Sequence, residues 1–527
     1  MPGVSSFRSK LVRAASGALA GLLAAFTALT VAELVAGLVR PAAGPVTVVG
    51  GAVIDRTPNA VKDFAIRTFG ENDKAFLQLG ILAILALIAL ALGILALSHR
   101  RAGAACVLLF GIVGAAAALS RPDSTGIGDV LPSVAGALAG ALVLYLLASR
   151  AVLTPAPADA GGASGWSRRG FLTAAAVTAV AATSSGALGR FFTGRRGQGA
   201  VASRESLVLP KPASPAPAVP AGVQLKVPGI TAFTTPNSDF YRVDTALTVP
   251  KVDAGTWRLR IHGKGVTRPR TYTLHELLER PLIERDITLT CVSNEVGGPY
   301  IGSARWLGVP LADLLKEAGV IPPSRGGNAD QLVARSVDGM TLGSPVEDVM
   351  DGRDAMLAVG MNGEPLPFDH GFPVRMLVPG LYGYVSACKW ITDIELTTFD
   401  AYDPYWVKRK WARRAPIKTQ SRIDTPKPFA RPPAGTLTIA GVAWAQHRGI
   451  NRVEVRVDNG PWRDADLAAQ AGTDTWRQWS YRWNATPGAH NITVRATDGT
   501  GQIQPEQRTR TIPDGASGWH SVFVTVT

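Results

Sequence analysis

The chain has 527 residues, a formal net charge of +14 and three cysteines. This length is too great for one hydrophobic core and predicts several domains. The cysteines form neither a CxxC nor a CxxCH motif, which excludes a zinc ribbon, a covalent c-type haem and a disulfide scaffold.

A strongly basic chain is compatible with nucleic-acid binding. Here, however, many basic residues flank apolar runs, and no basic run is interleaved with aromatic residues in a stacking pattern. We therefore expect no nucleic-acid partner.

Five apolar stretches dominate the chain before residue 193. Each is long enough, or nearly so, to cross a bilayer, which needs about 20 residues. They cover residues 11–39, 76–97, 102–119, 130–148 and 171–192. Residues 1–192 are therefore predicted to form an N-terminal transmembrane α-helical bundle of five helices, in which abundant Gly and Ala permit close packing.

The basic residues that flank these stretches predict an orientation in the membrane. Three sets of them lie on one side if the N-terminus is cytoplasmic: Arg8, Lys10 and Arg13; Arg100 and Arg101; and Arg150, Arg168 and Arg169. Because positive residues favour the cytoplasmic side, everything after about Thr193 is expected outside the cytoplasm. Arg190, Arg195 and Arg196 run against this rule.

The motif Ser167–Leu172 directly precedes the fifth stretch and has the form of a twin-arginine export signal, here internal. The alternative interpretation is an ordinary basic flank at the end of a cytoplasmic helix. Because the twin-arginine route carries folded proteins, the signal predicts a cofactor that is inserted before export.

Haem is not expected in the bundle. A b-type haem needs axial ligands, usually histidines, inside the bundle. Of the seven histidines, only His99 is near an apolar stretch, and it lies at the end of that stretch. The bundle is therefore interpreted as an anchor or docking platform.

The rest of the chain predicts a linker and two domains. Residues 193–227 are rich in Ala, Pro and Ser and indicate an extended linker. Residues 228–415 mix strand and helix signals and predict an α+β domain, with a strand at 286–290 that ends at Cys291. Short strands separated by turns over residues 416–527 predict an all-β immunoglobulin-like sandwich.

Cys291 follows a strand and enters the glycine-containing loop 292–298. A side chain at such a position faces a cleft, and glycines permit close approach of a ligand. The alternative is a small buried hydrophobic residue, which describes most free cysteines. The spacing alone favours that alternative.

A second cluster spans 369–375 and 378–390. This glycine-rich stretch contains His370, Arg375 and Lys389. Such a combination suits a phosphate, which charge-assisted hydrogen bonds and backbone amides can hold. A structural loop with scattered cations is the alternative.

The stretches 288–315 and 361–396, together with the C-terminal sandwich, resemble the sulfite oxidase family of molybdopterin enzymes. The runs Asn362–Pro367, Asp369–Arg375 and Val378–Gly380, which leads to Lys389-Trp390, carry this resemblance. It implies a sulfite-oxidase-type molybdopterin-binding catalytic domain over 228–415 and a dimerisation domain over 416–527.

The resemblance also implies roles for individual residues. Cys291 becomes the catalytic protein thiolate on molybdenum, a metal that soft thiolate ligands suit. His370, Arg375 and Lys389 become phosphate-binding residues. The remaining residues implied to line the cofactor are Asn237, Phe240, Tyr241, Ser386 and Ala387.

Several positions depart from the family pattern. Pro236, the pair Glu295-Val296 and Val359 stand where the family's sulfite-binding arginines and a tyrosine are expected. Fewer cations and an added carboxylate disfavour an anionic substrate. We therefore expect two-electron oxygen-atom-transfer chemistry on a small molecule other than sulfite, with electrons exchanged with a separate redox protein and a homodimer as the expected assembly.

Two other functions remain open from the sequence. One is a reductase of sulfoxides or similar neutral oxides, which the missing cations motivate. The other is a non-catalytic membrane receptor or scaffold that kept the fold. Retention of Cys291 together with His370, Arg375 and Lys389 argues against the scaffold.

Overall fold

The computed structural model describes residues 3–58, 61, 68, 73–151 and 168–527. The chain forms two compact units, Met1–Gly199 with Thr245–Val249, and Ala200–Asp244 with Pro250–Thr527. Ser167, the first residue of the twin-arginine-like motif, lies outside the described residues.

The first unit is helical. Its helices are α1 (Gly3–Leu38), α2 (Pro45–Arg56), α3 (Asp73–Ala96), α4 (Arg100–Ser120), α5 (Leu131–Ala151) and α6 (Arg168–Glu205). Within the described residues, five segments are long and apolar enough to cross a membrane by length and composition: Leu11–Leu38, Lys74–Ala96, Arg100–Ser120, Ile127–Arg150 and Gly170–Glu205. Helix α2 lies between the first two predicted stretches and was not predicted.

Glycines let α1 and α3 touch backbone to backbone. A Cβ atom added at Gly21 would collide with the carbonyl of Ala89, and one at Gly93 would collide with the carbonyl of Gly17. The abundance of small residues in the sequence therefore has the packing consequence expected of it.

The linker prediction for 193–227 is wrong in two respects. Residues 193–205 belong to α6, because no proline occurs before Pro210 and the glycines there cost a helix only about 1 kcal/mol each. Farther on, the segment is extended but does not stand free. Ala213 N–H donates to Leu282 O at 2.8 Å, and Ser214 pairs with Ile283.

The second unit begins with an α+β domain of two sheets. Its strands are β1 (Arg258–Gly263), β2 (Arg270–Thr273), β3 (Ile283–Thr290), β4 (Ile301–Pro310), β5 (Gln331–Ser336), β6 (Thr341–Pro345), β7 (Met356–Met361), β8 (Glu364–Pro365), β9 (Arg375–Leu377) and β10 (Ile391–Thr397). The orders are β2-β1-β10-β5-β6 and β3-β4-β7-β8, with β9 on β7. Its helices are short: α7 (Leu274–Leu278), α8 (Leu311–Glu317), α9 (Val346–Met350) and α10 (Gly383–Ser386).

A two-sheet β-sandwich follows. Its strands are β11 (Gln420–Thr425), β12 (Gly435–Trp444), β13 (Ile450–Val457), β14 (Arg463–Asp464), β15 (Asp466–Leu467), β16 (Arg477–Ala485), β17 (Gly488–Asp498) and β18 (His520–Val526). They form sheets β11-β12-β16-β15 and β14-β13-β17-β18. Strands β12, β13, β16, β17 and β18 overlap the short strands that the sequence predicts at 437–444, 452–457, 476–483, 490–495 and 522–526.

The sandwich is fixed to the strand that leads to Cys291. Trp476 N–H donates to the hydroxyl of Thr288 on β3 at 2.8 Å, and Gln446 Nε2 donates to Thr288 O at 3.0 Å. Trp476 is fully buried and donates its indole N–H to Phe233 O at 2.9 Å. The position of β3 therefore depends on both domains.

Candidate cofactor site

Cys291 immediately follows β3 and is buried. Its N–H donates to Tyr300 O at 3.0 Å, and its thiol donates to Ser293 Oγ at 3.4 Å. Burial raises the pKa of the thiol, while the hydrogen bond with Ser293 and the charge of Lys389 lower it. A metal ion would favour the thiolate, since a coordinating thiol is deprotonated.

The loop after Cys291 is held from the sandwich side. Gly297 has φ +80°, and a Cβ there would collide with the imidazole ring of His520. Arg422 Nη1 donates to Gly298 O at 2.9 Å. Within the loop, Asn294 Oδ1 accepts from Tyr300 N–H at 2.8 Å. The sandwich therefore helps to determine where Cys291 lies.

A glycine brings two predicted cations together. Gly371, with φ +109°, follows the 3-10 turn Phe368–His370. A Cβ at Gly371 would lie 3.1 Å from the Cβ of Arg375 and 3.1 Å from the Cα of Lys389. Any larger residue here would be strained and would press the two cations apart.

Arg375 is buried without a carboxylate partner within the described structure. It donates one hydrogen bond, from Nη1 to His370 O at 3.2 Å, and its Nε is buried without a partner. Its Cζ lies 5.0 Å from the ring centroid of Trp306. Burial lowers the pKa of Arg375 to about 10.

Burial, followed by the charge of Arg375, lowers the pKa of His370 to about 4. The imidazole of His370 is therefore neutral near pH 7. An anion beside this group would relieve the unbalanced positive charge.

Lys389 is the second cation of the group. Its Nζ lies 2.7 Å from Asp244 Oδ2 and 3.1 Å from Asp369 O. The side chain of Asp244 is 2% exposed, and the same oxygen accepts from Arg242 Nε at 2.9 Å. Lys389 thus differs from Arg375 in having a buried carboxylate beside it.

Three further predicted residues adjoin this group. His370 Nε2 lies 3.1 Å from Asn237 O. The ring of Phe240 stacks on Tyr241 at 5.3 Å and meets His370 edge-on at 5.5 Å. Burial, followed by the charge of the Cys291 thiolate form, raises the pKa of Tyr241, and Arg375 opposes this. Tyr241 therefore connects the thiol with the cations.

Ser386 and Ala387 are able to contribute only through their backbone. The hydroxyl of Ser386 is fully buried and lies 3.0 Å from the carbonyl oxygens of Leu381 and Tyr382, to which it donates. Ala387 has no polar side-chain atom.

The residues present fit a phosphate-bearing pterin cofactor. The orphaned Arg375 Nε and the neutral His370 next to it form an anion-attracting group. Among the described residues, no group of three His, Cys, Asp or Glu side chains is suited to hold a metal ion. A single protein thiolate suits a metal whose other ligands come from the cofactor.

Sequence reasoning missed Asp244 and Trp306. Asp244 lies 145 positions from its partner Lys389, and a single carboxylate carries no sequence signal of its own. Trp306 belongs to the apolar side of β4, where a core residue was the natural interpretation. Only the fold reveals that its ring faces Arg375.

The residues that depart from the family pattern differ in how exposed they are. Val359 is fully buried and Val296 is 8% exposed, so both are apolar where polar groups were expected. Glu295, by contrast, is exposed. Solvent screens an exposed charge, so the carboxylate of Glu295 disfavours an anionic substrate only weakly.

Comparisons with known proteins agree with this geometry. Residues 246–406 match the family model "Oxidoreductase molybdopterin binding domain", and residues 420–494 match "Bacterial Ig domain". Sulfite oxidase of Gallus gallus is 31% identical over 320 residues, covering 52% of this chain and 68% of that protein.

Further matches cover similar shares of the chain. Mitochondrial sulfite oxidase of Mus musculus is 30% identical, covering 56% of this chain and 62% of the relative, so the chain spans less than two thirds of that protein. An NADH nitrate reductase of Brassica napus is 29% identical over 321 residues, covering 49% of this chain and 35% of the relative. The solved sulfane dehydrogenase SoxCD from Paracoccus pantotrophus is 26% identical, covering 56% of this chain and 82% of that chain, with a TM-score of 0.49.

Proposed function

Because the chain belongs to the sulfite oxidase family of molybdopterin oxidoreductases, we propose that Cys291 supplies the protein thiolate to a molybdenum–molybdopterin cofactor. The enzyme performs two-electron oxygen-atom transfer on a small molecule. The observation that carries the proposal is the pair of cations that meet at Gly371, of which Arg375 has an unpartnered Nε.

Each residue has a distinct task in this proposal. Arg375 and His370 hold the phosphate of the cofactor, with Lys389 beside them. Asn237, Phe240 and Tyr241 flank the pterin, and the backbone at Ser386 and Ala387 closes the same side. When bound, the cofactor supplies the oxygen-atom-transfer chemistry, while the protein orients it and selects the substrate.

We propose a substrate other than sulfite. Val359 and Val296 offer no charge to a dianion, and burial keeps both positions dry. Two arginines reach the neighbouring loop. Arg422 is already paired with Asp424 at 2.7 Å and bonds to Gly298 O. Arg508 donates to Val296 O at 3.5 Å but is exposed, so solvent screens its charge. A paired cation attracts an anionic substrate less than a dedicated one does.

We further propose that the helical unit anchors the protein in the cytoplasmic membrane with the catalytic domain outside. The five apolar segments support the anchor by length and composition, and the basic residues at their ends support the orientation. A separate redox protein exchanges electrons with the enzyme, and the sandwich serves as a dimerisation domain.

Metal and pterin analysis tests the cofactor assignment. We expect about one molybdenum and one pterin per chain after expression with ample molybdate, and their absence would overturn the proposal. In Cys291→Ser, X-ray absorption should count one sulfur ligand fewer on molybdenum, with the fold retained. Cys388→Ala is the matched control, since Cys388 is also buried in the core and its thiol donates a hydrogen bond to Lys389 O, at 3.7 Å.

Substrate assays test the proposal that the substrate is not sulfite. Oxidation of sulfite with a dye acceptor is compared with reduction of methionine sulfoxide by reduced viologen. We expect sulfite to be a poor substrate by kcat/KM. Efficient sulfite oxidation would contradict the substrate proposal while leaving the cofactor assignment intact.

A further inference from the structure

Residues 402–418, here the basic segment, carry a concentrated positive charge. The segment contains six lysine or arginine residues against one aspartate. Arg413 is paired with Asp403 at 3.0 Å. Lys408, Lys410 and Arg414 are exposed, and within the described structure no carboxylate lies within ion-pair distance of them. The segment therefore presents a surplus of three cations to solvent.

Aromatic rings support these cations from beneath. Tyr405, Trp406 and Trp411 are half-buried and pack on one another, with centroid distances of 5.0 Å and 6.2 Å for successive pairs. Lys408 Nζ lies 5.0 Å from the ring centroid of Tyr402, and Arg414 Cζ lies 5.5 Å from that of Phe399. The charges are thus attached to an ordered surface rather than to a loose tail.

The basic segment lies next to the chain that forms the cofactor site. Tyr382 N–H donates to Ala415 O at 2.9 Å, and Ile417 N–H donates to Gly380 O at 2.9 Å. Tyr384 donates its hydroxyl to Ala412 O at 2.7 Å. The inner partner, Gly380–Tyr384, runs directly into Ser386. One backbone-to-backbone spacing, about 5 Å, therefore separates the segment from that chain.

The buried Tyr382 extends this proximity to the thiol. Its side chain is 3% exposed, and the charge of the Cys291 thiolate form contributes to raising its pKa. The hydroxyl of Tyr382 accepts from Lys418 N–H at 3.5 Å, so this buried side chain contacts the basic segment directly. A redox protein seated on the basic segment would be close to the cofactor.

We propose that the basic segment is the docking surface for the acidic face of a separate redox protein, an inference that rests on the proposed function. A substrate that gains one oxygen atom from water releases two protons and two electrons, and the reverse reaction consumes them. Two encounters with a one-electron carrier, such as a c-type cytochrome, balance each turnover. Complementary charge accelerates such encounters by about 10- to 1000-fold, and salt suppresses the gain.

The same surplus of charge would also attract anionic lipid headgroups. The observations favour a protein partner for two reasons. The tryptophans are engaged in ring contacts within the surface, whereas a membrane belt needs aromatic rings free to enter the interface. The segment also adjoins the strand that leads to the cofactor, which a lipid contact would not require.

The test uses the full chain in nanodiscs of zwitterionic phosphatidylcholine. The protein is reduced with dithionite, desalted and mixed with an oxidised acidic c-type cytochrome, whose reduction is followed by absorbance. We expect the triple variant Lys408→Glu, Lys410→Glu, Arg414→Glu to slow the second-order rate at low salt by about tenfold or more, and high salt to slow the unaltered protein similarly. The matched control Lys226→Glu, Lys264→Glu, Lys427→Glu makes the same charge change at exposed positions elsewhere and should leave the rate within about twofold.

Failure of the docking proposal is distinguishable from failure of the proposed function. Missing molybdenum, or no reaction with the small cation ferrocenium, would count against the proposed function. The docking proposal fails in two cases, provided that the molybdenum content and the reaction with ferrocenium are both normal. In the first case the cytochrome does not react, and in the second the two triple variants react with it at the same rate. An effect that arises only in nanodiscs with anionic phosphatidylglycerol would assign the segment to lipid and overturn the proposal as well.

Discussion

The helical unit and the candidate cofactor site compensate the charge of an arginine in opposite ways. Arg40, in the helical unit, is paired with two carboxylates, Asp129 Oδ2 at 2.7 Å and Asp123 Oδ2 at 2.8 Å. Asp129 is fully buried and also accepts from Thr125 N–H at 2.7 Å. Arg375, at the cofactor site, has one hydrogen bond to a carbonyl and an orphaned Nε.

This difference separates structural charge from ligand-binding charge. Removing an arginine from water costs several kcal/mol, so a purely structural arginine is retained with its counter-ions. An arginine that is buried without them needs another reason to be there. For Arg375 the proposed reason is the phosphate of the cofactor.

Asp129→Asn should destabilise the helical unit, because it removes the charge of one of the two carboxylates that pair with Arg40. Removing a partner from a buried ion pair leaves Arg40 undercompensated and costs about 3–5 kcal/mol. Thermal unfolding in detergent, followed by helical circular dichroism, measures the loss. Asp313→Asn is the control, because its partner Lys316 and Asp313 itself are 61% and 63% exposed and such a pair contributes under about 1 kcal/mol. Equal losses would refute the distinction.

Acid should destabilise the protein through two buried histidines. The pKa of His370 and that of His520 are both lowered to about 4, mainly by burial. Unfolded histidine titrates near 6.5, so their contribution is complete above pH 6.5 and is lost as the pH falls to 4. Each histidine contributes at most about 3 kcal/mol.

Cofactor loading should distinguish the two histidines. A bound phosphate favours protonated His370, so the loaded protein should lose less stability in acid than the depleted one. The charges that act on His520 are those of Arg422, Arg508 and Asp424, so its contribution to the acid profile should be unchanged by loading and reduced in His520→Asn. Thermal midpoints between pH 7.5 and 4.5, with and without cofactor, measure both shares. Identical acid profiles for loaded and depleted protein would argue against a phosphate beside His370.

Arg375→Met should separate stability from ligand binding. An apolar side chain of similar volume replaces a poorly compensated cation, so the depleted protein should stay within about 1 kcal/mol of the parent. Cofactor retention should fall about 10- to 100-fold, since a charge-assisted hydrogen bond contributes about 1.5–3 kcal/mol. Pterin fluorescence after dialysis measures retention.

Arg353→Met provides the opposite control. Arg353 pairs with Asp351 at 2.6 Å and Asp348 at 3.2 Å and also donates to Pro379 O, so its role is structural. Its loss should lower stability and leave retention unchanged. A variant of Arg375 that unfolds but retains cofactor would reverse the interpretation of both residues.

The sequence predicted what depends on local pattern. The β-branched run before Cys291 forms β3, and the five apolar stretches correspond to long helices. The cluster of His370, Arg375 and Lys389 was recognised because a glycine-rich path joins them in sequence. Hydrophobic periodicity and glycine spacing are encoded within a few residues, so one chain suffices to detect them.

The remaining features depend on long-range contacts that no local pattern encodes. Asp244 meets Lys389, and His520 meets Gly297, only because the fold brings distant segments together. The exposure of Glu295 depends on the direction in which its loop turns. Helix α6 extends to Glu205 because the glycines after residue 193 weaken a helix without ending it.

Ser386→Ala should have the smallest effect of these substitutions on stability and on cofactor retention. The hydroxyl donates to the backbone carbonyls of Leu381 and Tyr382, directly before α10, so its loss should cost about 1 kcal/mol of stability. Cofactor retention should be unchanged, because alanine keeps the backbone N–H and the hydroxyl proton is already engaged. Thermal unfolding and pterin fluorescence measure the two quantities on one sample. A loss of retention comparable with that of Arg375→Met would mean that the hydroxyl turns toward the ligand, and Ser386 would then belong with the ligand-binding side chains rather than with the structural ones.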